Sequence, residues 1–176
     1  MKYLFICLIM FSSICYISQD SLFLRKKYFK NQVVALSTLS SWSLLNLSLN
    51  STNFKSYYKS NVQFSNTDYF HQMNFSWNLV NSGICVIGFL KIKDLNKDYW
   101  TNITLNNLIK KNCKTLSINV GLDIAYITTG FILRQYATQF TNSERSIGFG
   151  NSLITQGSFL LAFDLIYLQS LRKLIH

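Results

Sequence analysis

The run from Tyr69 to Gly88, YFHQMNFSWNLVNSGICVIG, sets large polar side chains into an otherwise apolar stretch. At about 100° per residue, His71, Asn74, Asn78, Asn81, Cys85 and Gly88 recur at intervals of three and four and share one helical stripe, while Phe75, Leu79, Val86 and Ile87 fall elsewhere. A helix in water turns its polar groups to solvent. This spacing instead predicts a helix surrounded by lipid, whose polar stripe meets other helices.

Two further stretches repeat the pattern. Leu116 to Leu133 places Asn119, Asp123, Tyr126 and Gly130 on one stripe, and Ser152 to Leu171 gathers Gln156, Gly157, Asp164 and Tyr167 on one face. A fourth stretch, Val33 to Asn50, is rich in Ser and Thr, whose hydroxyls can bond back to helix carbonyls; Trp42 with Asn46 one turn later anchors it. A bilayer crossing takes about 20 apolar residues. The expected fold is therefore all-α, a four-helix transmembrane bundle with spans near residues 33–50, 71–90, 116–134 and 152–171, forming a single membrane domain over residues 20–176. Ahead of it, residues 1–19 have the layout of a signal peptide or an additional N-terminal span: Lys2, an apolar run from Tyr3 to Ser18, then Gln19-Asp20-Ser21. Tyr16 sits where a cut after Ser18 prefers a small residue. Leu22 to Gln32 reads as a basic connection, Ser51 to Asp68 as a polar loop, and Lys91 to Lys114 as an exposed loop with six lysines and room for a short interfacial helix. The segment with Glu144, Arg145, Gly148 and Gly150 reads as a turn.

Hydrophobic residues make up 49% of the 176 and charged residues 14%, but the mean hydropathy of +0.16 is modest for a chain of several spans, so a soluble, exported four-helix protein is the competing architecture. The net charge of +10 has no basic stripe interleaved with exposed aromatics, which argues against nucleic acid as a partner. Basic flanks of membrane spans account for it. Arg25, Lys26, Lys27, Lys30, the six lysines of the 91–114 segment, Arg172 and Lys173 fall on one side of the alternating spans, 12 residues against 4 on the other, which puts the C-terminus in the cytoplasm. A cleaved signal peptide would put Arg25 to Lys30 outside, so the two signals conflict. The bias towards Asn, with 17 copies, and the absence of Pro fit an AT-rich coding composition, so a loop Asn carries little meaning. Cys85 and Cys113 lack metal-type spacing and are not expected to form a disulfide.

Asp123 and Asp164, two of only seven acidic residues, stand inside apolar helices. A carboxylate near a bilayer centre costs about 2.5–3.5 kcal/mol on insertion scales, so such residues face a partner or a cavity. With His71, Asn74, Asn78, Asn81, Asn119 and Gln156 they make up the candidate binding or polar-core set. The plainer account of these residues is helix-to-helix hydrogen bonding. No residue is assigned as catalytic and no cofactor or metal is expected: there is no His-rich or HExxH pattern, IGFGNS lacks the parts of a phosphate loop, and no Ser stands in a nucleophile elbow. The expected function is a non-enzymatic integral membrane protein whose polar core binds a small molecule or partner helix, with the lipid bilayer as its surroundings and the bacterial inner membrane as its location. The alternatives are a membrane-embedded, hydrolase-like enzyme using His71 with Asp123 or Asp164, and a small transporter.

Tyr69-Phe70-His71-Gln72-Met73-Asn74, Trp77-Asn78, Val80-Asn81, then Asn119-Val120-Gly121-Leu122-Asp123 and Gln156-Gly157-Ser158-Phe159-Leu160-Leu161-Ala162-Phe163-Asp164 together resemble an uncharacterised family of small bacterial membrane proteins. The resemblance runs from Trp42 to Asp164. It implies a helical membrane protein with these polar residues in a common core, and it implies no activity, ligand or cofactor.

Overall fold

The computed structural model describes residues 2–51, 63–92 and 102–175, with residues 2–21 and 102 entering only through their helical backbone. Four helices follow in order: α1 (Lys2–Ser51), α2 (Asn66–Ile92), α3 (Asn102–Gln135) and α4 (Ser143–Arg172). No strand occurs among the described residues. Neither Pro nor Gly interrupts Lys2 to Ser51, so nothing in the backbone stops a helix there. The expected leader, basic connection and first span accordingly lie on one helix of 50 residues, about 75 Å long. The polar residues from Gln19 to Lys30 do not interrupt the helical backbone.

Two other connections differ from expectation in the same direction. Residues 102–114, expected in a loop, form the first turns of α3, because Leu105, Ile109 and Leu116 are buried at helical spacing among Tyr28, Leu168 and Leu171. Residues 93–101, with Asp94, Asp98 and Trp100, lie outside the described residues, as does most of the 51–68 loop. The Glu144 to Gly150 segment, expected as a turn, is the start of α4. Asn142 caps it, its Oδ1 accepting from the Arg145 N–H at 2.9 Å. The true turn is a short 3₁₀ piece, Ala137–Gln139, that reverses the chain between α3 and α4.

The helix beginnings of α2 and α4 are tied together. Asp68 accepts from the N–H and hydroxyl of Ser65 at 2.9 and 2.8 Å, closing the first turn of α2. The Asn66 N–H donates to Glu144 of α4 at 2.7 Å, and the Asn142 side chain donates to the Tyr69 hydroxyl at 3.0 Å. Both carboxylates sit at helix N-termini, where the helix dipole favours negative charge. Thus α2 and α4 run parallel and in contact, while α1 and α3 run antiparallel to them on opposite flanks.

Glycines bring the backbones together at this end. A Cβ on Gly130 would lie 2.6 Å from the Gly150 carbonyl oxygen, and one on Gly150 would lie 2.7 Å from that of Gly130, so α3 and α4 touch backbone to backbone. Gly148 abuts the Asn66 carbonyl and Tyr69 of α2 in the same way. The far end is packed by side chains: Tyr28, Leu105, Ile109, Leu116, Leu168 and Leu171 form an apolar cluster, and Asn112 donates to the Tyr28 hydroxyl at 2.5 Å.

The surface is the reverse of a water-soluble bundle. Leu79, Val80, Ile84, Val86 and Leu90 of α2 and Ile118, Ile124, Phe131 and Ile132 of α3 are exposed, whereas Asn74, Asn78 and Asn81 are buried. Asn66–Ile92 and Ile103–Gln135 are long and apolar enough to cross a membrane. These are two of the four expected spans; the Ser- and Thr-rich part of α1 and the polar residues of α4 keep the other two below the same measure.

Candidate functional site

The polar stripes point where their spacing predicts. Asn74, Asn78, Asn81 and Cys85 of α2 are buried, as are Asp123 and Gly130 of α3 and Gln156, Gly157 and Asp164 of α4; His71, Asn119, Tyr126 and Tyr167 are half-buried. They do not form one cluster. They separate into two groups along the bundle.

The first group centres on Gln156, which is fully buried. Its Nε2 donates to Asn74 Oδ1 at 2.7 Å and to Asn46 Oδ1 at 3.4 Å, and its Oε1 accepts from the Trp42 indole N–H at 3.0 Å. Asn74 Oδ1 also accepts from the Ser152 hydroxyl at 2.9 Å. The Trp42 ring stacks on Phe159 with centroids 3.9 Å apart and planes 4° from parallel. Three helices meet here with their side-chain bonds made. The hydroxyls expected to bond back within α1 do so, with Thr38 donating to the Val34 carbonyl, Ser41 to that of Ser37 and Ser43 to that of Leu39.

The second group lies about 10–12 Å further along α2 and α4, seven or eight residues on. Asn81, Asn119, Asp123 and Asp164 line a cavity of about 410 Å³ bordered by all four helices. Asn119 and Asp123 both stand near Asp164 on the wall of this cavity. Asp123 Oδ2, Asn81 Nδ2 and Asn78 Oδ1 are buried without a hydrogen-bond partner. The rest of the wall is largely apolar and aromatic, including Leu36, Leu39, Leu160 and Phe163, and among the described residues no Lys, Arg or His lines it. Trp77 of α2 meets Tyr126 of α3 edge to face at 4.9 Å and closes one part of the gap between these helices. Beside that pair the wall is made of Val80, Ile84 and Leu122, all exposed on the outer surface.

His71 belongs to neither group. Its Nδ1 is 2.6 Å from Asn50 Oδ1, and it does not line the cavity. Since α2 and α4 run parallel with Asn74 opposite Ser152 and Gln156, His71 lies about 20 Å along the bundle from Asp164. The pairing of His71 with Asp164 is therefore not made, and His71 is bonded to Asn50 rather than to Asp123. Among the described residues no cluster of His, Cys, Asp or Glu can hold a metal ion, and Cys85 and Cys113 are both free thiols.

Sequence reading missed Ser152, Asn50 and the stacking of Trp42 on Phe159. A signal existed for the first: Ser152 stands one turn before Gln156 on the same face. Leu39, Ser43, Asn46 and Asn50 likewise form a stripe at intervals of four, three and four on α1, which the high Ser content of that helix concealed.

No curated protein and no solved structure matches the chain. A family of unknown function does, over residues 38–165, a stretch that holds Asn74, Ser152 and Gln156 of the first group and Asn81, Asn119, Asp123 and Asp164 of the second. The chain belongs to that family, DUF6992.

Proposed function

We propose that the protein is an integral membrane protein of four spanning helices, in a bacterial inner membrane, whose buried polar interior binds a small ligand. The single observation that carries this reading is the inverted distribution of polarity. Val80, 64% exposed, and Ile166, 69% exposed, face outward, while Gln156 and Asn78 have no exposure at all. In water that arrangement leaves apolar surface uncovered and buries amides at a cost; in a bilayer both faces are where they belong. Binding is favoured over a purely structural role because the polar side chains around Gln156 bond to one another across three helices, while those around Asp164 surround open space.

For orientation, the C-terminus is placed in the cytoplasm. The basic bias supports it, and so does the grouping of Lys27, Lys30 and Lys173 around one groove at the end of the bundle shared by α1 and α4. Extraction of membranes with alkaline carbonate tests the membrane assignment: the protein should stay in the pellet, and release into the supernatant would refute it. A periplasm-active reporter fused after His176 should be silent.

A further inference from the structure

We infer that the cavity between the four helices is a site for a small organic cation, an apolar molecule bearing an ammonium group next to an oxygen acceptor, that enters sideways between α2 and α3. This inference rests on the membrane-binding reading above and names its ligand class. Four observations lead to it. The cavity, at about 410 Å³, falls in the range of small-molecule sites. Its polar patch holds two carboxylates, Asp123 and Asp164, and among the described residues no basic side chain stands on the wall, so when ionised they are balanced only by a cation from outside the protein.

Aromatic rings form much of the remaining wall. Trp77, Tyr126, Phe163 and Tyr167 all line the cavity, and the faces of such rings attract cations, with desolvated sites the strongest. The unpartnered atoms then specify the ligand's polar end. Asp123, only 3% exposed, has an Oδ2 that requires a donor, which an ammonium supplies; Asn81, 5% exposed, has an Nδ2 that requires an acceptor, which a neighbouring hydroxyl or carbonyl supplies. The apolar part of the ligand lies against Leu36, Leu39 and Leu160. Entry follows from the wall itself. Apart from Trp77 against Tyr126, α2 and α3 barely meet, and the cavity residues between them, Val80, Ile84 and Leu122, are about half exposed or more on the outer face. A ligand dissolved in the bilayer reaches the carboxylates without crossing the bundle ends.

The test uses the full chain in lipid nanodiscs and equilibrium dialysis, with protein-free discs correcting for partition into lipid. Three probes of equal size are compared: phenylalaninol as the cation, the diol in which a hydroxyl replaces its ammonium group, and phenyllactate as the anion. Saturable binding should appear for phenylalaninol, at least about tenfold tighter than for the diol, with phenyllactate weaker still. Asp123→Asn with Asp164→Asn, which keeps side-chain shape, should remove the preference for the cation. Leu122→Trp, at the exposed mouth, should weaken all binding by about tenfold while leaving both carboxylates in place, so the proposal stays testable if the double variant fails to fold. Equal affinity for cation and diol, a preference that survives the double substitution, or the absence of saturable binding would each overturn it. Carbonate extraction is scored on the same preparations: absence of cation preference in the unsubstituted, membrane-retained protein defeats the ligand class alone, whereas release by carbonate defeats the membrane reading while dialysis still decides the ligand.

Discussion

Two levels of the same interior, about 12 Å apart, use the same kinds of buried side chain to opposite ends. At the level of Gln156, its amide, Asn74, Ser152 and the Trp42 indole bond to one another. At the level of Asp164, a carboxylate oxygen of Asp123 and an amide nitrogen of Asn81 have no partner and face a cavity. Residue size explains the difference. On the first level's side of the bundle, Gly130, Gly148 and Gly150 let the backbones of α2, α3 and α4 touch, and the amides of α1, α2 and α4 reach one another. The second, although Gly157 meets the Asp123 carbonyl there, is lined by Trp77, Tyr126, Phe163 and Tyr167, whose bulk leaves a cavity around the carboxylates. A polar stripe is therefore a knot or a pocket according to the bulk of its neighbours.

The largest way to break this contrast is to prop the closed level open. Gly150→Leu should destabilise the bundle by about 3 kcal/mol, the upper range for overpacking, in thermal unfolding in detergent, since even a Cβ there would strike the Gly130 carbonyl. Gly121→Leu, where nothing lies within 4 Å, should not destabilise and should gain up to about 1 kcal/mol from helix propensity. Equal effects would show that glycine contacts do not set the spacing.

Next in size is removal of the knot's central amide. Gln156→Leu strands the Trp42 N–H and takes one of two donors from Asn74, with an expected loss of about 1–3 kcal/mol. Asp123→Leu deletes a polar group that is as deeply buried but unpartnered, and replacing such a group with an apolar one of similar size should cost nothing or raise stability by up to about 1 kcal/mol. A large loss at Asp123 would mean that this level is structural.

The smallest effect is the most discriminating. Asn74→Ala combined with Gln156→Ala should depart from additivity by about 0.5 kcal/mol or more, since the two share a bond. Gln156→Ala with Asp164→Asn should add within about 0.5 kcal/mol, as expected for sites on separate networks. Coupling in the second pair would merge the two levels into one.

Membership of the interior was legible from residue spacing alone. The stripes of α2, α3 and α4, from Asn74 to Cys85, Asp123 to Gly130, and Gln156 to Asp164, are all turned inward, because a helix of 3.6 residues per turn fixes which side chains share a face whatever surrounds it. The interruptions were less legible. Hydropathy falls at residues 22–32, 102–114 and 143–150, and each looked like a connection, yet helix continuity depends on backbone stops, and these stretches contain no Pro and only Gly148 and Gly150, which serve close packing. His71 shows the limit of stripe logic: it shares a face with Asn74 and Asn81, but its register along the bundle sets it against Asn50 and far from Asp164.

By itself the sequence determined that this chain is helical, apolar on the outside of α2 and α3 and polar within, because periodicity and composition are properties of one helix at a time. Which polar groups find each other was decided only by the tertiary structure. Pairing depends on the distance between backbones, and that distance is set by residues on two helices at once: Gly130 against Gly150 where the interior closes, Trp77 against Tyr126 where it stays open.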